Sequence, residues 1–199
     1  FHSFCDAILR ERGHEIGLAT DYKILTDPEQ YMLMKKNLFR FSLDYYRPLG
    51  NPQKFIGSLL AHFSRLKDED ITPLQYLEHA ENLMKKSKSK EEKEIAEKML
   101  EVAKTYSEYE KLLISESVLD YGSLITWTIR LLEKRKSVRK EYQDRFKYIL
   151  VDEYQDTNYS QNKLVTLLTG KAQNIFCVAD DDQSIYRWRG SSVANILNF

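Results

Sequence analysis

The feature that most constrains this chain is a pair of short apolar runs, "KYILV" and "NIFCVA", with one segment of helical period between them, "SQNKLVTLLTG" ending at Gly170. Runs this short, rich in Ile, Val and Phe, read as strands. Neither alternates apolar with polar, so each is expected to be buried on both faces. That is the pattern of a parallel sheet covered by helices. Each run also ends in acid: Asp152-Glu153 after the first, Asp180-Asp181-Asp182 after the second. In open parallel sheets, ligands bind at the carboxyl ends of the strands.

A buried strand holds a terminal carboxylate rigidly at the sheet edge, where a metal–phosphate group can sit. In nucleotide hydrolysis the metal is held partly by such an Asp. A neighbouring carboxylate can orient or deprotonate the attacking water. For one such end alone, acid that merely caps a strand is the favoured reading; two ends with the flanking residues favour the chemical one. Downstream, "QSIYRWRG" places Tyr186 and Trp188 on one face of an extended chain and Arg187 and Arg189 on the other. Rings beside guanidinium groups suit single-stranded nucleic acid, with stacking at roughly 1–3 kcal/mol per base. A hairpin with core aromatics would show the same spacing, and spacing alone does not decide.

The rest of the chain reads as helix. "FHSFCDAILRER" predicts a short helix with Phe1, Phe4, Ala7 and Ile8 on one face, followed by a loop with Gly13 and Gly17. From Asp21 to Glu116 everything reads as helical. Asp27-Pro28 with Gln30, and Thr72-Pro73 with Gln75, resemble capping boxes with proline at the first position. Asn51-Pro52 supplies a third cap, and such caps are worth roughly 1 kcal/mol each. Pro48 and Gly50 fall between helices. Ile95, Met99, Val102, Tyr106, Tyr109 and Leu113 form a stripe at helical spacing, read as core packing. The Lys85–Lys93 run suits either contact with phosphates or a solvated face, and the solvated face is the favoured reading. "DYGSLITWTIRLLEK" reads as a further helix. A helical block thus sits between pieces of an α/β domain.

Composition sets limits. Lys+Arg and Asp+Glu are 30 each, so the net charge is zero and any nucleic-acid track must be local. No apolar run approaches membrane-spanning length and no signal peptide opens the chain. Cys5 and Cys177 are far apart, which fits a reduced, cytoplasmic protein, and four scattered histidines give no ligand spacing for zinc or an iron–sulfur cluster. The chain opens at Phe1 without Met and closes in helical "SSVANILNF", so a piece of a longer protein is expected.

"VDEYQDTN" followed by Gln161, and then "ADDDQSIYRWRG", resemble motifs II and III of the UvrD/Rep family of superfamily 1 DNA helicases. "FHSF" is similar to the family's T-F-H-S motif, and "LDYGSLI" to its D-F-D-D-L-I segment. The resemblance implies a partial RecA-like parallel sheet with a large all-helical insertion. Residues 1–20 and 115–199 would belong to subdomain 1A, and 21–114 to the inserted subdomain 1B, which contacts duplex DNA ahead of the fork. It implies that Asp152 binds the Mg²⁺ of ATP, Glu153 is the catalytic base, and Gln183 senses the γ-phosphate. Tyr186 and Trp188 would stack on single-stranded DNA with Arg189 beside them, and His2 would lie near the DNA track. Gln155 and Asp156 would help link the two sites.

There are departures. Ala179 stands where the family has Gly, and Gly122 and Ser123 stand where acids are common. No G-x-x-x-x-G-K-[ST] occurs in these 199 residues, and that loop is what cradles the phosphates. The expectation is therefore part of an ATP-driven DNA helicase moving 3′ to 5′ in repair or replication, inactive as this chain alone. Two other readings stand beside it: a non-catalytic DNA-binding or interaction module, and part of a RecB- or AddA-type helicase–nuclease.

Overall fold

The computed structural model describes residues 1–170 and 174–180. In chain order its elements are α1 (His2–Arg12), β1 (Lys23–Ile24), α2 (Asp27–Lys36), α3 (Ile56–Asp68), α4 (Pro73–Lys86), α5 (Lys90–Ser115) and β2 (Val118–Leu119). There follow α6 (Tyr121–Lys134), α7 (Lys136–Arg145), β3 (Ile149–Val151), α8 (Tyr159–Thr169) and β4 (Ile175–Cys177). The described residues are mostly helical with two small parallel sheets, β1–β2 and β3–β4, in keeping with the α/β class. They divide into two compact units: Phe1–Tyr22, Lys67–Asp70 and the chain from Tyr121 onward form one, Lys23–Leu66 and Ile71–Asp120 the other.

The second unit is organised by α5, along which α4 packs. Val102, Tyr106, Tyr109 and Leu113 of the stripe are buried, and Phe63 meets the Tyr106 and Tyr109 rings at 5.1 and 5.4 Å. Ile95, at the head of the stripe, is 60% exposed and leaves the core to Ala96. The box at Thr72 and Gln75 forms as read, the Gln75 carboxamide accepting from the Thr72 N–H and hydroxyl. The box at α2 sits one residue earlier than read. Thr26 is the cap and the Glu29 carboxylate accepts its N–H and hydroxyl, because a charged acceptor outcompetes the Gln30 amide.

Asn51-Pro52 opens no helix. It lies in a turn, and α3 starts at Ile56. The whole span 41–55 is irregular, broken by Pro48, Gly50 and Pro52, so the helical reading of 21–116 is corrected there and at β1. Two carboxylates of α5 pin this loop. Glu101 accepts the N–H groups of Asp44, Tyr45 and Tyr46 at 2.8–3.1 Å, and Glu108 accepts the N–H and hydroxyl of Ser42.

In the first unit α1 packs on α6, α6 on α8, and α7 on both α6 and α8. The buried side of α1 is Cys5, Ile8 and Leu9; Ala7 is exposed, one step round from the face read from sequence. Burial pushes the Cys5 thiol up to about 11, so it packs as an inert apolar group. Helix α7 was not legible, since only Val138 and Tyr142 of its ten residues are buried. Gly122 and Ser123 have structural work: a Cβ at 122 would stand 2.9 Å from the Lys67 stem, and Ser123 Oγ accepts from the buried Lys67 ammonium at 2.8 Å. Gly170 ends α8 at φ +57°, a conformation L side chains rarely adopt.

β3 and β4 pair in register, Ile149 with Ile175 and Val151 with Cys177. One face packs with Tyr154 and Val165. The other is open among the described residues: Leu150 is 75% and Phe176 64% exposed, so burial on both faces, as read from sequence, does not hold here.

Candidate functional site: an acidic turn at the end of β3

β3 runs straight into a tight turn, Asp152-Glu153, and then a 3₁₀ helix, Tyr154–Asp156. The turn closes because Asp152 Oδ1 accepts the Glu153 N–H at 3.0 Å and the Glu153 carbonyl accepts the Asp156 N–H at 2.9 Å. Glu153 is thereby held in the left-handed region, φ 52°. That conformation costs a non-glycine residue on the order of 1–3 kcal/mol and clusters at functional positions. Around it the ladder continues: Val178 N–H donates to the Val151 carbonyl and Tyr154 N–H to the Val178 carbonyl, both at 2.9 Å. The strand end is thus fixed from both sides.

The segment "DEYQDTN" divides by exposure, with Asp156 intermediate. Tyr154, Gln155, Thr157 and Asn158 are buried, while Asp152 and Glu153 face outward. The Tyr154 hydroxyl donates to Asn162 Oδ1 at 2.6 Å, and burial, then Cys177, raises its pKa. Thr157 donates to the Tyr154 carbonyl. Asn158 caps α8, taking the Gln161 N–H while Gln161 Oε1 takes its own, and Asn158 Nδ2 donates to Asp68 at 2.7 Å. Lys163 pairs with Asp70 and Glu133 and anchors the helix further along. These four buried residues build the platform; the two exposed acids are what it presents.

Gln155 connects the turn to the second strand. Its Nε2 donates to Glu153 Oε2 at 2.6 Å and its Oε1 accepts the Asp180 N–H at 3.1 Å, so the two acidic strand ends meet through one amide. Asp156 Oδ1 is buried and finds no hydrogen-bond partner among the described residues, which is rare for a carboxylate. His2 opens α1 and meets Tyr121 edge-on at 5.4 Å; desolvation of its ring lowers its pKa. An apolar hollow of about 450 Å³, lined by Phe4, Tyr148, Leu150 and Leu168 among others, has Asp152 at its edge. Gln183, Tyr186, Trp188 and Arg189, with Asp181, Asp182 and the closing "SSVANILNF", lie outside the described residues.

The acidic turn can be tested for fit to a magnesium ion. Asp152 is exposed, and its Oδ2 accepts no hydrogen bond among the described residues. Among those residues no three His, Cys, Asp or Glu converge on one point. A single hard carboxylate fits an ion that keeps its waters and arrives with substrate phosphates, rather than a closed protein cage.

The family described as UvrD/REP helicase N-terminal domain matches residues 1–199. The chain belongs to the UvrD/REP helicase N-terminal domain family. It is 38% identical over 199 residues to the ATP-dependent DNA helicase PcrA of Staphylococcus aureus strain Mu50, covering all of this chain and 24% of that protein. The PcrA helicase of Staphylococcus epidermidis strain ATCC 12228 is also 38% identical, with 25% of it covered. The chain therefore spans about a quarter of the length of the curated relatives it matches. As a UvrD/REP family member, it places "VDEYQDTN" on the β3–α8 junction, where strand end, turn and helix cap are a single hydrogen-bonded piece.

What sequence reasoning missed is mostly the supporting shell. The Asn158/Gln161 box follows a legible cap pattern. Asp68, Asp70 and Lys67 lie some ninety or more residues before Asn158 and Lys163 or about fifty-five before Ser123, and no local signal joins them.

Proposed function

We propose that this chain carries the magnesium and water-activating side of the ATP site of an ATP-dependent DNA helicase, together with part of its DNA track. The observation that carries the proposal is the exposed Asp152-Glu153 pair, fixed at a strand end in a UvrD/REP family chain. The names of its PcrA relatives support the reading. In this proposal Asp152 is the residue that would hold Mg²⁺. When bound, that ion would neutralise charge on the ATP phosphates. Glu153 takes the proton of the attacking water. Its backbone is held by hydrogen bonds with Asp152 and Asp156, so the point from which its side chain departs is fixed.

Gln183 would sense the γ-phosphate; Tyr186 and Trp188 would stack on single-stranded DNA with Arg189 beside them and His2 near the track. Gln155 and Asp156 would link the sites. Residues 1–20 and 115–199 would be RecA-like subdomain 1A and residues 21–114 the 1B insertion, meeting duplex DNA at the fork. The protein would work in the cytoplasm, 3′ to 5′, in repair or replication, alongside proteins of those processes. No helix among the described residues is long and apolar enough to cross a membrane.

The test is Glu153→Gln in the full-length protein. DNA-stimulated ATP hydrolysis is expected to fall at least about a hundredfold, with ATP affinity kept, since a general base supplies about 10²–10⁴-fold. Hydrolysis at the wild-type rate would end this assignment.

A further inference from the structure

Gln155 is 1% exposed, yet it touches an exposed carboxylate. Its carboxamide works in both directions. The nitrogen donates to Glu153 Oε2 at 2.6 Å and the oxygen accepts the Asp180 N–H at 3.1 Å. The backbone of Glu153 is fixed by its turn, but a glutamate side chain has three rotatable bonds beyond it. Among the described residues, Gln155 is the hydrogen-bond donor to that carboxylate. With Oε2 held by the amide, Oε1 accepts no hydrogen bond among the described residues and stays open to a water. The amide cannot swing away, because it is buried and its other end holds the backbone at the exit of β4.

We infer that Gln155 is a positioning residue for Glu153, fixing the carboxylate's rotamer and tying it to the strand end that leads into residues 181–189. This rests on reading Glu153 as the base. It assigns the tie to one named amide, working through a donor bond and an acceptor bond that can be separated by mutation.

The experiment uses the full-length protein with Gln155→Glu and Gln155→Ala, read at about pH 8.5, well above the usual carboxylate range. Gln155→Glu keeps the size and an oxygen for the Asp180 N–H, but loses the donor to Glu153. Gln155→Ala loses both. DNA-stimulated kcat, KM for ATP, affinity for a non-hydrolysable ATP analogue and thermal midpoint are measured. Both variants are expected to lose kcat by roughly ten- to a hundredfold, the scale set by misplacing a catalytic group. Analogue affinity stays within about twofold of wild type, as for any interaction that acts in the transition state alone. The Gln155→Glu midpoint is expected to fall, because a carboxylate is then buried beside Glu153, and the midpoint is read to establish that the variant is folded at the assay temperature.

Wild-type kcat in Gln155→Glu would overturn the inference, because the acceptor contact would then be enough. So would a loss confined to ATP affinity. If Gln155→Glu fails to fold, Gln155→Asn, an amide one methylene short, takes its place, and either of those two results in it would overturn the inference as well. Glu153→Gln runs alongside. If it hydrolyses ATP, the assignment of the base fails. If it is inert while Gln155→Glu keeps wild-type kcat, only the positioning role fails.

Discussion

Asp152 and Glu153 are exposed while most of their neighbours are buried, and under the proposed function that difference would separate the reacting side chains from those that hold the turn. Tyr154, Thr157 and Asn158 are buried and fully engaged in holding the turn and the start of α8. A pH effect belongs at this scale too. Hydrogen bonds from Lys23, then from the Thr26 N–H and hydroxyl, hold the Glu29 carboxyl down to about 2 against an ordinary 4.5. A depressed carboxyl stabilises the folded state above its unfolded pKa, and that stability is lost as pH falls from about 4.5 through about 2. Urea midpoints of wild type and Glu29→Gln should therefore differ at neutral pH and converge as pH drops toward the folded value. A constant difference across that window would refute the linkage.

Among the elements, α5 does more than bury a stripe. Its outer side carries Glu101 and Glu108, which organise a loop that proline and glycine forbid to be helical. Glu101→Ala strips three backbone donors of their shared acceptor. Since water can replace part of that contact at an exposed loop, a loss of about 1–2 kcal/mol is expected by urea denaturation. Glu101→Gln, which keeps an acceptor oxygen, should cost less. The α2 and α4 caps show how far local reading reaches: Thr72 and Gln75 were legible as a box, whereas Asp27 and Gln30 masked the box that forms at Thr26 and Glu29. Adjacent candidates with the same pattern are separated only by backbone geometry, here the extended Thr26.

For the whole molecule, the prediction concerns what 199 residues can do. They contain no phosphate-cradling G-x-x-x-x-G-K-[ST], so this chain alone should show no DNA-stimulated ATP hydrolysis, while the full-length protein should. Activity in the isolated chain would refute the assignment of roles. The sequence by itself determined the strands at 149–151 and 175–177, the helix between them, the acids at the strand ends and the core stripe of α5 from Val102 to Leu113. All follow from apolar period and from residue types with few alternatives. Only the tertiary structure decided that Glu153 is left-handed, that Gln155 joins two strand ends, that Asp68 holds Asn158 and that Leu150 and Phe176 stand open among the described residues. Those facts depend on contacts between residues up to ninety positions apart and on which surfaces find a cover. Periodicity within a segment carries no record of either.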